Sequence, residues 1–137
     1  MLKSLSRLTT TVVFTTILSA SASNAAGIRS DEEVFSRLLT AAIGNEIKDN
    51  CPEIEVRTMA ATFYVLGILN YAMNQGYSRA EIDEFRADPV QQEKLRQATY
   101  AYLDAHSVNR QDPASYCPLG QDEIAKGSEI GKLIKSK

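Results

Sequence analysis

The amino-acid sequence predicts an all-α fold, four to five helices in an orthogonal or bundle-like packing closed by one disulfide. Three observations lead there. Every strong hydrophobic period is three to four residues, and no run alternates with period two, so no sheet is expected. Helix-start signals, an N-cap residue followed by an acid or proline, recur between the apolar stretches. The chain has two cysteines, the number one bridge requires. At 137 residues, 44% of them hydrophobic, it suits one domain and is too apolar for a disordered chain. Fifteen basic against seventeen acidic side chains give a net charge of −2, which offers no field for nucleic acid.

Residues 1–25 read as a cleaved secretory signal, and 26–137 as a single α-helical domain. Lys3 and Arg7 form a positive start, Leu8 to Leu18 an uncharged apolar run, and Ser19 to Gly27 a small, polar end. Ser23-Asn24-Ala25 fits the small-x-small cleavage pattern, with Ala20-Ser21-Ala22 as a second site. The alternative is an uncut anchor. A spanning helix needs about 20 apolar residues, and here Thr9, Thr10, Thr11, Thr15 and Thr16 dilute the run. Cleavage leaves 13 basic and 17 acidic side chains, so the mature chain has little attraction for anionic lipid. The expected location is the periplasm or outside the cell, with no membrane span after cleavage.

Ser30-Asp31-Glu32-Glu33 reads as a capping box with Ser30 as N-cap. Val34, Phe35, Leu38, Leu39, Ala42, Ile43 and Ile47 then make a broad apolar stripe, ending near Asp49. A second helix is expected to open at Pro52-Glu53-Ile54-Glu55. From Met59 to Met73 only Thr62, Gly67 and Asn70 interrupt the apolar residues. That run is too short to span a bilayer and too apolar for a surface helix, so it is expected to be the central core helix, ended by Gly76. Ser78-Arg79-Ala80-Glu81 starts a short helix carrying Ile82 and Phe85. Asp88-Pro89 starts the next, with Leu95, Ala98, Tyr102, Val90 and His106 expected inward. After a loop over 107–118, a last helix is expected from Gly120 to Ile134, with Ile124, Gly127, Gly131 and Ile134 on one face.

Export places Cys51 and Cys117 where thiols oxidise, and their bridge would tie two helix starts together. A redox site usually places its cysteines two residues apart; these lie far from each other. No Gly-rich phosphate loop, His-Glu-x-x-His, Cys-x-x-Cys or Gly-x-Ser-x-Gly is present, so no catalytic residue, cofactor or metal is expected. His106, the sole imidazole, falls at a helix end, where the carbonyls favour a cation. Asp83, Glu84 and Asp88, and likewise Asp122 and Glu123, read as solvated faces rather than carboxylate sites. Tyr64, Tyr71, Tyr100 and Tyr102 read as core residues with their hydroxyls at the rim. Gly127 and Gly131 have the Gly-x-x-x-Gly spacing that lets a helix approach a neighbour closely. They pack on the chain's own core helix or form a partner seam.

Asn50-Cys51-Pro52, the long apolar helix ending near Gly76, and Tyr116-Cys117-Pro118-Leu119-Gly120 leading into Glu123-Ile124 and Ile130-Gly131 carry a resemblance. The chain resembles a family of small exported α-helical proteins of alphaproteobacteria, classed as a domain of unknown function. That implies a helical periplasmic domain with one disulfide, and assigns no activity. The size, helical content and single bridge are also similar to those of small periplasmic acid chaperones. Phe63 to Gln75, followed by Arg96 to His106, is similar to the core and closing helices of periplasmic immunity proteins. In those proteins a cysteine precedes the closing helix; here Ser78 stands in that region.

The functional expectation is a non-enzymatic periplasmic protein that binds another protein, an envelope complex or a toxin. The C-terminal helix and the 107–118 loop are its expected partner surface. The alternative is an acid- or stress-responsive holdase, and a minor one is an enzyme with an unrecognised site.

Overall fold

A computed structural model describes residues 27–137; the expected signal, 1–25, lies outside the described residues. Gly27–Ser30 form a 3-10 turn, and α1 (Glu32–Asn50) follows. Its N-cap is Asp31, whose carboxylate accepts from the Val34 amide at 3.0 Å. The cap falls one residue later than expected because the turn engages Ser30, whose hydroxyl donates to the Gly27 carbonyl. At the other end Cys51 is extended, as a residue before proline must be, and α1 stops.

The second helix does not open at Pro52. Instead Ile54–Val56 form β1, which pairs antiparallel with β2 (Ile134–Ser136), Ile54 opposite Ser136 and Val56 opposite Ile134. This two-stranded ladder corrects the expectation of no sheet. Three residues are too few to display an alternation, and the partner strand comes from the far end of the chain. Ile54 and Ile134 are buried from this ladder, while Lys135 pairs with Glu55 across it at 2.9 Å.

Helix α2 (Thr58–Asn74) follows, with Gly76 at positive φ beyond its end as expected. The Ser78–Glu81 capping box forms as expected and starts α3 (Arg79–Ala87). Asp88 caps α4 (Pro89–Ala105), its carboxylate accepting from the Val90 amide. The inward face of α4 centres on Thr99 and Leu103, while Val90 and His106, expected inward, are exposed. A 3-10 turn at Pro113–Ser115 leads into α5 (Tyr116–Lys126).

The last helix therefore starts earlier than Gly120 and stops well before Ile134. Gly127, in the left-handed region at φ +63°, ends it. The chain then doubles back on α5, so that a Cβ on Gly131 would lie 1.9 Å from the Glu123 carbonyl oxygen. Only glycine fits there.

The core lies along α1, which packs against α2, α4, α5 and β1. Its C-terminal half holds Ile43, Ile47 and Cys51 against Ile54, Leu103, Tyr116, Leu119 and Ile134. Its N-terminal half holds Val34 against Ile28, Ile68, Ala72, Ile82 and Phe85. Helix α2 reaches these clusters along one side only.

Candidate functional site

Cys51 and Cys117 are joined, with their Cα atoms 5.1 Å apart. The bridge ties the C-terminal end of α1 to the first turn of α5, rather than joining two helix starts. Glu53 brings a carboxylate within 4.8 Å of both sulfurs. The sulfurs are bonded to each other, so no thiolate remains there to share a metal. Gly127 and Gly131 do not form a helical seam: the first terminates α5, and the second is buried in the turn against Glu123. There the chain makes a tightly packed return on itself.

The acidic clusters divide. Glu84 and Asp88 converge on Arg29, at 3.1 and 3.0 Å, clasping the first turn to the junction of α3 and α4. The Arg29 hydrogen bond, with a further one from the Val90 amide, holds the Asp88 carboxyl below its ordinary range. Asp83 and Asp122 are exposed and paired locally with Arg79, Arg86 and Lys126. Glu123 departs from the solvated reading: it is 3% exposed. Its carboxylate accepts from Tyr102 Oη at 2.9 Å and from the Ser128 hydroxyl, which also accepts from the Gly131 amide. Burial, and then the bond to Glu123, push the Tyr102 phenol up to about 12. His106 caps α4 and stacks on Tyr102 with ring centroids 4.0 Å apart. The bond from Tyr102 to Glu123 joins α4 to α5, and those of Ser128 hold the returning chain on α5, so the arrangement is structural.

The feature that the fold leaves open is α2. Its sequence is apolar on all sides and carries no charged residue from Thr58 to Asn74. Its inner side supplies Ile68 and Ala72 to the core, with Tyr64 half-buried beside them. On the opposite side Met59 is 67% exposed, Phe63 64%, Leu66 46% and Met73 51%. With Asn70 these residues follow the 4-3-4-3 spacing that lines one face of a helix. The helix is thus not wrapped on several sides, which corrects its expected role as the central core helix. A domain of this size has too few elements to surround it.

On the inner side of α2, away from this face, a cleft of about 230 Å³ opens between α1, α2 and α3, lined by Ile28, Val34, Ile68 and Phe85. At its rim Asp83 lies 3.9 Å from Arg79 and 3.7 Å from Arg86, so the carboxylate offsets one of the two cations. The chemistry on offer is apolar contact. Sequence reading missed the face because it counted how apolar α2 is and not how much neighbouring chain was available to cover it. The 4-3-4-3 spacing was the signal that could have found it. Among the described residues no helix is long and apolar enough to cross a membrane.

Residues 26–135 match the model of a family described as "Family of unknown function (DUF5333)". No curated protein and no solved structure matches the chain.

Proposed function

The chain belongs to the DUF5333 family of unknown function, and we propose that it is a non-enzymatic periplasmic protein that acts by binding another protein through the outer face of α2. One observation carries the reading: four large apolar side chains stand together in water on a helix without a charge. Contiguous apolar surface of this kind marks interaction sites, and helix-in-groove docking uses this spacing. The Cys51–Cys117 bridge supports an oxidising compartment.

The test is a photocrosslinking residue placed at Phe63 or Leu66 of the exported protein in living cells. Discrete crosslinked products are expected there, and none from the same residue at exposed Gln97 on α4. Absence of any discrete product at the α2 positions would refute the reading.

A second reading, the acid-responsive holdase, is favoured by the Arg29 clasp on Glu84 and Asp88. In this reading, protonating Asp88 weakens the clasp and loosens α3, which carries the buried Ile82 and Phe85. Reversible binding of an apolar dye below pH 3, with client aggregation suppressed and the bridge intact, would establish it; unfolding without suppression would remove it.

A further inference from the structure

We infer that the outer face of α2 pairs with the same face of a second copy of this chain, forming a parallel two-helix seam around a two-fold axis. The inference rests on the reading of α2 as a docking face and names its occupant.

Met59, Phe63, Leu66, Asn70 and Met73 occupy alternating d and a positions of two consecutive heptads. In a parallel pair each layer sets a residue against itself. Three consequences favour a second copy. The first concerns charge: the helix has none, so its two copies meet without like-charge repulsion. Arg57, just before the helix, is engaged with β2, its Nε donating to the Ile134 carbonyl at 3.0 Å.

The second concerns Asn70, the one strongly polar residue on the seam, at an a position. Against an apolar groove its amide would be buried without a partner, a costly arrangement. Against Asn70 of a second copy, one amide donates and the other accepts, which is how a single a-position asparagine fixes register and a two-stranded state. The third concerns approach. Ala60 and Gly67 flank the seam, and a Cβ built on Gly67 meets nothing within 4 Å. That space admits the neighbouring helix.

The area sets the strength. Side chains exposed by 46–67% present on the order of 500 Å² per copy, or about 1,000 Å² for the pair, which is the lower limit for a specific interface. The pair is therefore a weak, micromolar one rather than an obligate dimer.

The experiment is sedimentation equilibrium of the mature, disulfide-bonded protein alone, from about 1 μM to about 1 mM. The expected result is a mass rising from one copy to two across that range. Leu66→Glu is expected to weaken the pair on the order of 100-fold. Gly67→Gln is expected to weaken it too while leaving the fold at least as stable, since glutamine is the better helix former and a Cβ there meets nothing within 4 Å in the monomer. Asn70→Leu is expected to relax the two-copy state toward larger assemblies. Single-copy mass throughout would overturn the inference, as would a dimer insensitive to both Leu66→Glu and Gly67→Gln. A single-copy protein that still crosslinks from Phe63 to a different protein in cells removes the second copy but keeps the docking face. Loss of all crosslinks removes both.

Discussion

Replacing Tyr102 by phenylalanine tests whether the buried Glu123 cluster holds α4 to α5. The ring is kept, and with it the stack on His106 at 4.0 Å. Only the hydroxyl that donates to Glu123 Oε1 at 2.9 Å is lost. Glu123 stays buried, with Ser128 as its remaining side-chain donor. A hydrogen bond to a charged, buried acceptor contributes about 1.5–3 kcal/mol, so the expected loss is about 2 kcal/mol. For a domain of this size that lowers Tm by about 8 °C. Urea unfolding at a series of pH values adds a second reading. The phenol is raised to about 12 in the folded protein, against about 10 unfolded. The folded state keeps a proton that the unfolded chain gives up, so this contribution is complete below pH 10 and is lost as pH climbs toward 12. Wild type and Tyr102→Phe should differ at pH 7 and converge above pH 10. Tyr71, Tyr77 and Tyr116 are also raised, but they are common to both proteins and cancel in the difference. A gap below about 0.5 kcal/mol at pH 7, or one unchanged at pH 11, would refute the argument.

Reducing the Cys51–Cys117 bridge, whose partners lie 66 residues apart, should cost about 4 kcal/mol on the chain-entropy model, read as a fall in the urea midpoint with reductant. Gly131→Ala drives a Cβ into the Glu123 carbonyl, and backbone cannot yield cheaply. The expected cost is about 3 kcal/mol, measured by thermal unfolding. Below the concentration at which two copies pair, Phe63→Glu, on the exposed side of α2, should change stability by less than about 0.5 kcal/mol, whereas Ile68→Ala on the inner side should cost about 2–4 kcal/mol. Equal costs would show that the outer face is not free. The carboxyls of Asp88, Glu81 and Glu55 sit below their usual range, held chiefly by Arg29, the Ser78 amide and Lys135 respectively. Their contribution is present above about pH 4 and is lost as pH falls through the depressed folded values. Arg29→Gln should therefore be less stable than wild type at pH 7 and converge with it by about pH 2, followed by circular dichroism.

What could be read from the sequence was local chemistry. The Ser78–Glu81 box, the Asp88-Pro89 start, the glycine after α2 and the cysteine pair each involve residues whose partners are neighbours or whose number leaves no choice. The errors involve partners distant along the chain. Ile54–Val56 became a strand because Ile134–Ser136 arrives beside it, and nothing local announces that pairing. Gly127 and Gly131 kept a helical spacing on paper, but a left-handed residue at the first position means that the second is not on a helix. Glu123 looked like Asp122 in sequence, but it shares the buried face of α5 with Tyr116, Leu119 and Gly120, where Tyr102 and the returning chain cover it.

The fold does not require α2 to be apolar outside. Its inner residues, Ile68 and Ala72, already supply what the core takes from it, and lysine or glutamate at positions 59, 63, 66 and 73 would propagate a helix as well with better solubility. The apolar face is also held firmly. Arg57, the residue just before α2, donates its amide to the Leu133 carbonyl at 2.8 Å and its Nε to Ile134, which fixes the entry of the helix to β2. Three residues before β1 the chain is locked to α5 by the disulfide. Bridge, ladder and helix start thus form one continuous support, and its outcome is the orientation of α2. The disulfide lies three residues before β1, so opening it should loosen the ladder and the entry of α2 before it costs helix content.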